Sequence, residues 1–397
     1  MSFCSKKIVT AVWELTSKCN AKCIHCGSNS GCDKLDNLTF EQVKSVVLQL
    51  DEIGCIFLTL IGGEYFLYPK WKELLEELSK TKIRIAIVTN ALALNEEKLD
   101  YLKKMNIRGI GFSMDGSKAE THDYIRQVPG CYEHAWKVIK LAKTKKIAST
   151  IITTINKLNI IELKEFRNLL LKNNCHTWQL QHTTLFGRMK KELSLDDFGF
   201  YCCGIFAAQT IKRYSKEQLS LFCMHCFGYY SKTIPNHVPN RYWTGCMAGR
   251  KNLGIRADGS ILGCLSLYDD KYIEGNVKEK SISEIRKNKH FCSWNHRLKK
   301  VKSLTGYCED CHFKLVCLGG CEAFTPSQER CYYAIEKKWK ENTPENPVDD
   351  ILKKLTQGHM DKEGNFYLAN GTKITDDFVD TLKLDDYHKN ILKIITT

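Results

Sequence analysis

The chain has 397 residues, of which 43% are hydrophobic, and a formal net charge of +14, so it is long enough to hold two or three domains with a substantial core. No apolar stretch is long enough to cross a bilayer, and the N-terminal segment, which carries Glu14, lacks the apolar core of a secretory signal. We therefore expect the 20 cysteines to occupy a reducing cytoplasm, where such patterns more often bind metals or serve catalysis than form disulfides.

The positive charge is distributed along the chain, with short lysine-rich runs at 143–146 and 299–302. This distribution favours a solvated basic surface, and the alternative is attraction to an acidic peptide or nucleic acid. The sequence has no basic patch interleaved with aromatic residues and no familiar nucleic-acid-binding motif. We therefore expect neither a nucleic-acid partner nor membrane association.

Six predicted strands, separated by predicted helices, follow one another along the first half of the chain. Apolar alternation and turn signals predict strands at Ile8–Leu15, Cys55–Ile61, Ile83–Thr89, Gly109–Met114, Ile147–Ile155 and Thr177–His182. Helices are predicted from a capping box at Thr39–Gln42 to near Gly54, from about Lys70, and at Asn95–Met105, Tyr132–Lys145 and Ile161–Asn173. This order predicts an α/β fold with a parallel sheet, in the form of an open, partial (β/α)6 barrel.

The carboxyl ends of the predicted strands carry the residues of chemical interest. In barrels of this kind the chemistry lies at the C-terminal rim. The rim here would hold a cysteine loop, Gly62-Gly63-Glu64, Asn90 and Ser113-Met-Asp115. This convergence does not depend on any single motif.

The cysteine loop follows the first strand and has the spacing C-x3-C-x2-C, formed by Cys19, Cys23 and Cys26. A short loop with three thiolates can ligate three irons of a cubane iron–sulfur cluster, whereas full ligation takes four cysteines. One iron is then open to bind another group. A structural zinc knuckle and three unrelated thiols are the alternatives.

This arrangement resembles the radical S-adenosylmethionine (SAM) enzymes. The resemblance implies that the open iron chelates SAM, which is split to methionine and a 5′-deoxyadenosyl radical that abstracts a hydrogen atom from the substrate. It also implies that Gly62, Gly63 and Glu64 hold the amino group of SAM, although Tyr65 replaces the usual proline. Ser113 and Arg126 would contact its ribose or carboxylate. The full set of predicted SAM-binding residues is Gly62, Gly63, Glu64, Asn90, Ser113, Asp115 and Arg126.

Some rim residues have simpler explanations. The two glycines fit an ordinary turn, and Asp115 fits a turn-forming position before Gly116. His25 is expected to pack near the adenine of SAM without a catalytic role. Trp178 and Gln181 are candidates for lining the cavity, and a core position is the alternative for Trp178. No catalytic residue is assigned.

The segment from Glu192 to Tyr242 is predicted to be a less regular link. It contains Cys202-Cys203 and Cys223-Met-His-Cys226, which match no assignable position. Beyond it, Asp258-Gly259 between two apolar stretches predicts a β-hairpin that folds Cys264 back toward Cys246.

A second cysteine array resembles the SPASM extension of radical SAM enzymes. Its seven matching positions are Cys246, Cys264, Cys308, Cys311, Cys317, Cys321 and Cys331. The resemblance implies two auxiliary [4Fe–4S]-type clusters. The inner cluster would be held by Cys246, Cys264 and Cys321, and the outer cluster by Cys308, Cys311, Cys317 and Cys331. On spacing alone zinc fits the array equally well.

The inner cluster is reached by only three matched cysteines. We predict that a linker thiol, Cys223 or Cys226, completes it. The alternative is an open iron that binds a substrate thiol or alcohol directly.

The chain therefore divides into four predicted parts. Residues 1–190 form the radical SAM core, 191–245 a bridging region, 246–341 the SPASM domain, and 342–397 a small α+β tail that begins near Pro344 and Pro347. The tail is expected to contain a helix near Val348–Leu355 and a hairpin or small sheet at 364–372.

The resemblance implies an oxidoreductase that modifies a ribosomally made peptide or protein through a thioether, ether or carbon–carbon link, or through oxidation. An electron donor such as flavodoxin or ferredoxin would serve it. Because the first strand begins near Ile8, leader recognition would fall to a separate protein or to the tail. The anaerobic sulfatase-maturating type ranks lower, since Leu265 stands where those enzymes commonly carry an aspartate. A zinc-stabilised binding module is the non-enzymatic alternative.

Overall fold

The computed structural model describes residues 8–31, 37–224, 227, 230–234, 243–324 and 330–396. One of the two predicted linker ligands, Cys226, lies outside these residues, as do Cys4 and Cys32.

Ten of the described strands form one sheet, in the order β10-β9-β8-β1-β2-β3-β4-β5-β6-β7. A separate two-stranded antiparallel sheet contains β11 and β12. The strands are β1 (Thr10–Glu14), β2 (Phe57–Ile61), β3 (Arg84–Thr89), β4 (Gly109–Ser113), β5 (Ser149–Ile155), β6 (Thr177–His182), β7 (Ser220–Cys223), β8 (Asn252–Ile255), β9 (Ser260–Leu262), β10 (Ile273–Asn276), β11 (His359–Met360) and β12 (Phe366–Tyr367).

Strands β1 to β7 are parallel neighbours in chain order, which confirms the predicted parallel core. The two edge strands of the described sheet, β10 and β7, do not pair with each other. The sheet is therefore open, as predicted. It extends past the six expected strands because β7 joins one side and β8, parallel to β1, joins the other.

The described α-helices pack against this sheet or cover its ends. They are α1 (Phe40–Glu52), α2 (Trp71–Ser79), α3 (Glu96–Lys104), α4 (Ala119–Arg126), α5 (Cys131–Thr144), α6 (Leu163–Lys172), α7 (Asp197–Arg213), α8 (Lys216–Leu219), α9 (Ile282–Lys287), α10 (Arg297–Ser303), α11 (Lys314–Cys317), α12 (Tyr332–Glu341), α13 (Pro347–Thr356), α14 (Asp376–Thr381) and α15 (Asp386–Lys393). The predicted capping box of α1 is present, with Thr39 and Gln42 exchanging side-chain and backbone hydrogen bonds.

The prediction of a less regular link after Glu192 was wrong. This stretch contains the 17-residue helix α7, on which every residue from Phe198 to Thr210 is buried, and then β7. Because α7 is buried on all sides, its sequence lacks the polar face that produces a helical period. Its residues belong to the main core, including Cys202 and Cys203.

The tail confirms its predicted helix as α13 and its predicted small sheet as β11 and β12. It is docked on the core, since Gln209 Nε2 on α7 donates to the Ile395 carbonyl at 3.0 Å and Lys164 Nζ donates to Thr396 Oγ1 at 2.8 Å. Ile391, Leu392 and Ile395 are fully buried.

Among the helices within the described ranges, none combines the length and apolar character that a membrane span requires.

Candidate active site and metal centres

The cysteine loop leaves the C-terminal end of β1 and lies at the rim where the parallel strands end. Its shape is fixed by backbone hydrogen bonds: Glu64 N donates to the Lys18 carbonyl at 2.8 Å, and Ile24 N donates to the Ile125 carbonyl at 3.0 Å. The loop is therefore attached both to the turn after β2 and to the end of α4.

Gly63 is required at its position by a close approach of two backbone segments. A Cβ built on Gly63 would lie 2.3 Å from the Lys18 carbonyl oxygen and 2.8 Å from Cys19 Cβ. Those separations are too short for any side chain. The Gly-Gly turn therefore presses directly on the residue that carries the first thiol.

The buried carboxylate of Glu64 organises the adjacent rim. It accepts hydrogen bonds from Thr89 Oγ1 at 2.7 Å and from Asn90 N at 2.8 Å, both at the end of β3. Burial raises the pKa of Glu64. Its carboxylate thus joins the ends of β2 and β3, so its predicted contact with SAM would compete with these internal bonds.

Two of the predicted SAM-binding residues donate to cysteine sulfurs. Asn90 Nδ2 lies 3.8 Å from Cys19 Sγ, and Arg126 Nη1 lies 3.7 Å from Cys23 Sγ. Hydrogen bonds to cluster sulfurs help to set the reduction potential of iron–sulfur clusters. Both residues would therefore act on ligands of a bound cluster, Asn90 on Cys19 and Arg126 on Cys23.

Asp115 is fully buried and forms an ion pair with Arg126, at 2.5 Å between Oδ2 and Nη2. It also accepts from Thr154 N and lies 3.5 Å from His25 Nε2. Burial alone would raise the pKa of Asp115, but Arg126, with His25 and His122, holds it below its ordinary value. The turn-forming alternative for Asp115 therefore does not describe its contacts. Ser113, also predicted to bind SAM, ends β4 with a half-buried side chain.

The rim keeps unsatisfied polar atoms that fit a bound group. Among the described residues, His25 Nδ1 and Arg126 Nε are buried without a hydrogen-bond partner. Burial lowers the pKa of His25 to about 4, so its imidazole is neutral at physiological pH. Together with the close-packed Gly63 turn, these atoms show that the residues present fit a bound cluster with SAM beside it.

A residue that the sequence reasoning missed holds the loop from the far side. Arg188, beyond β6, donates from Nε to the Cys23 carbonyl at 2.9 Å and from Nη1 to the Ser30 carbonyl at 2.7 Å. Its own backbone N–H donates to the Cys26 carbonyl at 3.0 Å. The preceding Gly187 has φ +62°, and a Cβ there would lie 2.2 Å from the Cys26 oxygen.

A buried acid that the sequence reasoning also missed lies between the two cysteine arrays. Glu14 ends β1, and Tyr268, four residues after Cys264, donates to its carboxylate at 2.9 Å. Burial raises the pKa of Glu14 to about 7. Arg256 stacks on the Tyr268 ring at 4.2 Å and pairs with Asp270 at 2.6 Å. The sequence did carry a signal for this acid, because Glu14 is the single charged residue at the end of an otherwise apolar strand.

The cavity-lining role considered for Trp178 was wrong and its core alternative is confirmed. Trp178 is fully buried, with Nε1 donating to Thr153 Oγ1 at 2.9 Å, and its ring packs edge-on against Phe166 and Phe206. Gln181 is half-buried and donates to Thr154 Oγ1 at 2.9 Å.

The predicted hairpin is confirmed by the antiparallel pairing of β8 and β9. It brings the three inner cysteines to one small apolar cluster centred on Ala248, Leu267 and Ala323, against which Cys246, Cys264 and Cys321 pack. Burial raises the pKa of Cys246 to about 11, and the Cys264 thiol adds to this shift. The three thiols assigned to the inner cluster are therefore neighbours.

The four outer cysteines also lie together. Burial raises the pKa of the Cys317 thiol, and the nearby thiols of Cys331, Cys308 and Cys311 raise it further. Trp243 packs against both Cys246 and Cys317, and its Nε1 donates to the Cys317 carbonyl at 3.0 Å. This indole lies between the two thiol groups.

No disulfide bond forms among the cysteines of the described residues. In the same residues, no three Cys, His, Asp or Glu side chains converge as ligands of a single metal ion would. In a cubane cluster each cysteine binds a different iron, so the thiolates stand apart. Coordination would also deprotonate thiols such as Cys19, whose pKa burial raises to about 11.

Two parts of the chain match the models of known protein families. Residues 13–170 match the Radical SAM superfamily, and residues 246–312 match the SPASM iron–sulfur cluster-binding domain. The chain is therefore a radical SAM enzyme with a SPASM extension. Its cofactors are SAM and iron–sulfur clusters, and the alternative of a zinc-stabilised module without catalysis is overturned.

Relatives with different names resemble the chain over most of its length. It is 26% identical over 347 residues to the AdoMet-dependent heme synthase of Methanosarcina barkeri, covering 82% of this chain and 97% of that protein. It is 25% identical over 320 residues to the subtilosin biosynthesis protein AlbA of Bacillus subtilis, covering 77% of this chain and 67% of AlbA. The crystal structure of Streptococcus suis SuiB shares the fold, with a TM-score of 0.66, 17% identity and coverage of 80% and 74%.

Proposed function

We propose that this enzyme modifies a ribosomally made peptide or protein, installing a thioether, ether or carbon–carbon link or an oxidation. When bound, the cluster and SAM supply a 5′-deoxyadenosyl radical that takes a hydrogen atom from the substrate. The observation that carries the proposal is the pairing of a three-cysteine rim with seven further thiols in two groups. Such thiols suit clusters that accept the electron left after hydrogen abstraction.

The chain's own residues would bind SAM and shield the reaction. We propose Gly62, Gly63, Glu64, Asn90, Ser113, Asp115 and Arg126 as the SAM-binding set, and Cys19, Cys23 and Cys26 as ligands of the SAM cluster. Asp115 would orient Arg126 through their buried ion pair, leaving the unpaired Arg126 Nε available to the bound nucleotide. The clusters would be assigned as predicted, with the inner one on Cys246, Cys264 and Cys321 and the outer one on Cys308, Cys311, Cys317 and Cys331.

Two named proteins support a peptide substrate. AlbA is named for biosynthesis of the bacteriocin subtilosin, and SuiB has been crystallised with its precursor peptide SuiA. We further propose a cytoplasmic enzyme served by a flavodoxin or ferredoxin and by a separate leader-recognition protein. Docking of the tail on α7 favours that separate protein over the tail, because the docked residues are occupied within the chain.

A second candidate is modification of a tetrapyrrole. The likeness to the heme synthase spans 97% of that protein. The sulfatase-maturating type stays lower, because the neighbour of Cys264 is the apolar Leu265.

The test is anaerobic reconstitution with iron and sulfide, followed by SAM and dithionite. We expect 5′-deoxyadenosine and methionine in equal amounts, and none from the Cys19→Ala/Cys23→Ala/Cys26→Ala variant. A short precursor peptide encoded beside the gene should then gain or lose mass in a SAM-dependent way. Modification of a tetrapyrrole with no change in the peptide would favour the second candidate.

A further inference from the structure

A thiol that no motif assigned lies beside the inner cysteines. Cys292 is buried in the turn that follows α9. A Cβ built on Gly249 would lie 2.3 Å from Cys292 Sγ, and one built on Gly263 would lie 2.6 Å from it. The sulfur therefore lies directly against the two segments that carry Cys246 and Cys264.

The turn that carries Cys292 is fastened to the same segments. Asn295 Nδ2 donates to the Cys246 carbonyl at 3.0 Å and to the Ala248 carbonyl at 2.8 Å. Cys292 itself has φ +47°, a left-handed conformation that is unfavourable for a residue with a Cβ. Such strain persists only where the surrounding contacts enforce it.

The surroundings of the thiol provide an acceptor for its proton. The Cys292 thiol donates a hydrogen bond to the Glu274 carboxylate. The Glu274 carboxylate is positioned by Trp294 Nε1, which donates to it at 3.1 Å. When iron binds the sulfur, the S–H bond breaks and the proton passes to Glu274 or solvent.

Cys223, one of the two linker thiols that the sequence favoured as the fourth ligand, lies in a different part of the core from Cys292. Cys223 ends β7, where it pairs with Leu180 of β6, and it belongs to the main core. Cys246 and Cys264 pack on the separate cluster around Ala248, whereas Cys321 packs on both clusters. The prediction that Cys223 completes the inner cluster therefore has less support from the structure than Cys292 has.

We propose that Cys292 is the fourth protein ligand of the inner auxiliary cluster. This proposal rests on the assignment of Cys246, Cys264 and Cys321 to that cluster and does not depend on the peptide substrate. Its consequence is a fully protein-ligated inner cluster. That cluster accepts an electron from the substrate radical and leaves no iron open to a substrate thiol or alcohol.

The test uses the Cys19→Ala/Cys23→Ala/Cys26→Ala background, in which only the auxiliary clusters contribute to the spectra. Into it we introduce Cys292→Ala, the more conservative Cys292→Ser, and Cys223→Ala as the matched buried-thiol control. Each reduced protein is examined by electron paramagnetic resonance and pulsed methods, with and without ¹⁵N-imidazole as a probe for an open iron. Iron content and circular dichroism check cluster loading and folding.

We expect ¹⁵N coupling to appear with Cys292→Ala and to be absent from the parent background and from Cys223→Ala. Cys292→Ser, which keeps the volume of the side chain, should show altered auxiliary signals with an unchanged fold. Coupling in the parent background would overturn the proposal in favour of an open iron. Coupling with Cys223→Ala and not with Cys292→Ala would overturn it in favour of the linker thiol.

A double variant tests the assignment of the inner cluster separately from the role of Cys292. Cys246→Ala/Cys264→Ala, which leaves only two of the four thiols, should lose the inner-cluster signal and about half of the auxiliary iron, as expected for one of two equivalent clusters. If this variant leaves both unchanged, the assignment of the inner cluster is wrong, and the proposal for Cys292 fails with it.

Discussion

The three thiols of the rim and the thiols of the auxiliary array are held in different ways. Cys19, Cys23 and Cys26 lie within one short loop, which residues beyond β2, β3, β4 and β6 fasten by hydrogen bonds. The auxiliary thiols come from separate turns and short helices between Cys246 and Cys331 and are collected by local packing. The rim loop is therefore held by hydrogen bonds from several parallel strands, whereas the auxiliary thiols are held mainly by packing around the β8–β9 hairpin, which belongs to the same sheet.

The largest expected effect is the loss of SAM cleavage when a rim cysteine is replaced, with the auxiliary clusters unaffected. Replacing Cys19, Cys23 or Cys26 singly by alanine should reduce SAM cleavage below detection, because the cluster then loses one of only three protein ligands. The iron of the auxiliary clusters should remain. Quantifying 5′-deoxyadenosine and iron in the same samples checks this, and auxiliary iron lost together with cleavage would contradict the independence of the two regions.

Gly63→Ala should have the next largest effect on the rim. Its new Cβ would overlap the Lys18 carbonyl oxygen, and overpacking of this kind costs about 1–3 kcal/mol. If this cost appears in the activation barrier, formation of 5′-deoxyadenosine slows by roughly 5- to 150-fold.

Gly27→Ala is the matched control in the same loop, since its Cβ would meet only Thr184 Oγ1 at 3.8 Å. We expect it to retain nearly full cleavage. Equal rates in the two variants would show that the close approach at Gly63 does not position the loop.

Arg188→Ala should loosen the loop without removing a ligand. The variant loses charge-assisted hydrogen bonds to the Cys23 and Ser30 carbonyls, each worth about 1.5–3 kcal/mol. We expect faster loss of the SAM cluster on exposure to air, followed by its visible absorbance, with auxiliary iron retained. Arg188→Lys, which keeps the charge but not the fork of donors, should lie between the two. Unchanged cluster lifetime in Arg188→Ala would contradict the anchoring role.

Glu14→Gln should have the smallest effect on SAM cleavage, and its signature is a pH dependence of stability. Burial raises the folded-state pKa of Glu14 to about 7 from an ordinary 4.5. The folded state therefore favours the protonated acid, and this contribution is complete below pH 4.5 and lost as the pH rises through about 7. The difference amounts to about 3 kcal/mol.

The glutamine keeps an acceptor for Tyr268 and carries no charge. The stability of Glu14→Gln relative to the parent should therefore increase between pH 4.5 and 7 and stay level above that range. Thermal unfolding under anaerobic conditions at several pH values measures this. A constant difference across the range would show that Glu14 has no raised pKa.

The sequence predicted the features that have a local signal. The period-two runs located the first six strands, the Thr39–Gln42 box located α1, and Asp258-Gly259 located the β8–β9 hairpin. The C-x3-C-x2-C spacing located the rim site. Each of these depends on residues a few positions apart, so their pattern survives in a single sequence.

The features that the sequence did not predict depend on distant residues or lack a periodic hydrophobic pattern. Helix α7 is buried on all sides, so it shows no amphipathic pattern. Arg188 reaches carbonyls more than 150 residues earlier in the chain, and Cys292 belongs to no recognisable spacing. Their roles became visible only when the fold placed them. The four-part division at residues 190, 245 and 341 stays a prediction, although β7 to β10 extend the main sheet across the first two of those boundaries.

Because the tail is docked on the core, its role in leader binding cannot be tested simply by removing it. Truncation before Asn342 would remove the buried Ile391, Leu392 and Ile395 and expose their partners on the core. Substitutions of exposed tail residues such as Lys362 and Asn370 are therefore the better probe of leader binding.

The central claim is that three rim cysteines leave one iron for SAM. The most direct measurement is electron–nuclear double resonance on the reduced protein with SAM carrying ¹⁵N in its amino group. We predict a ¹⁵N coupling to the cluster that is absent without SAM and absent from the Cys19→Ala/Cys23→Ala/Cys26→Ala variant. A rim cluster that shows no such coupling at saturating SAM would contradict the claim.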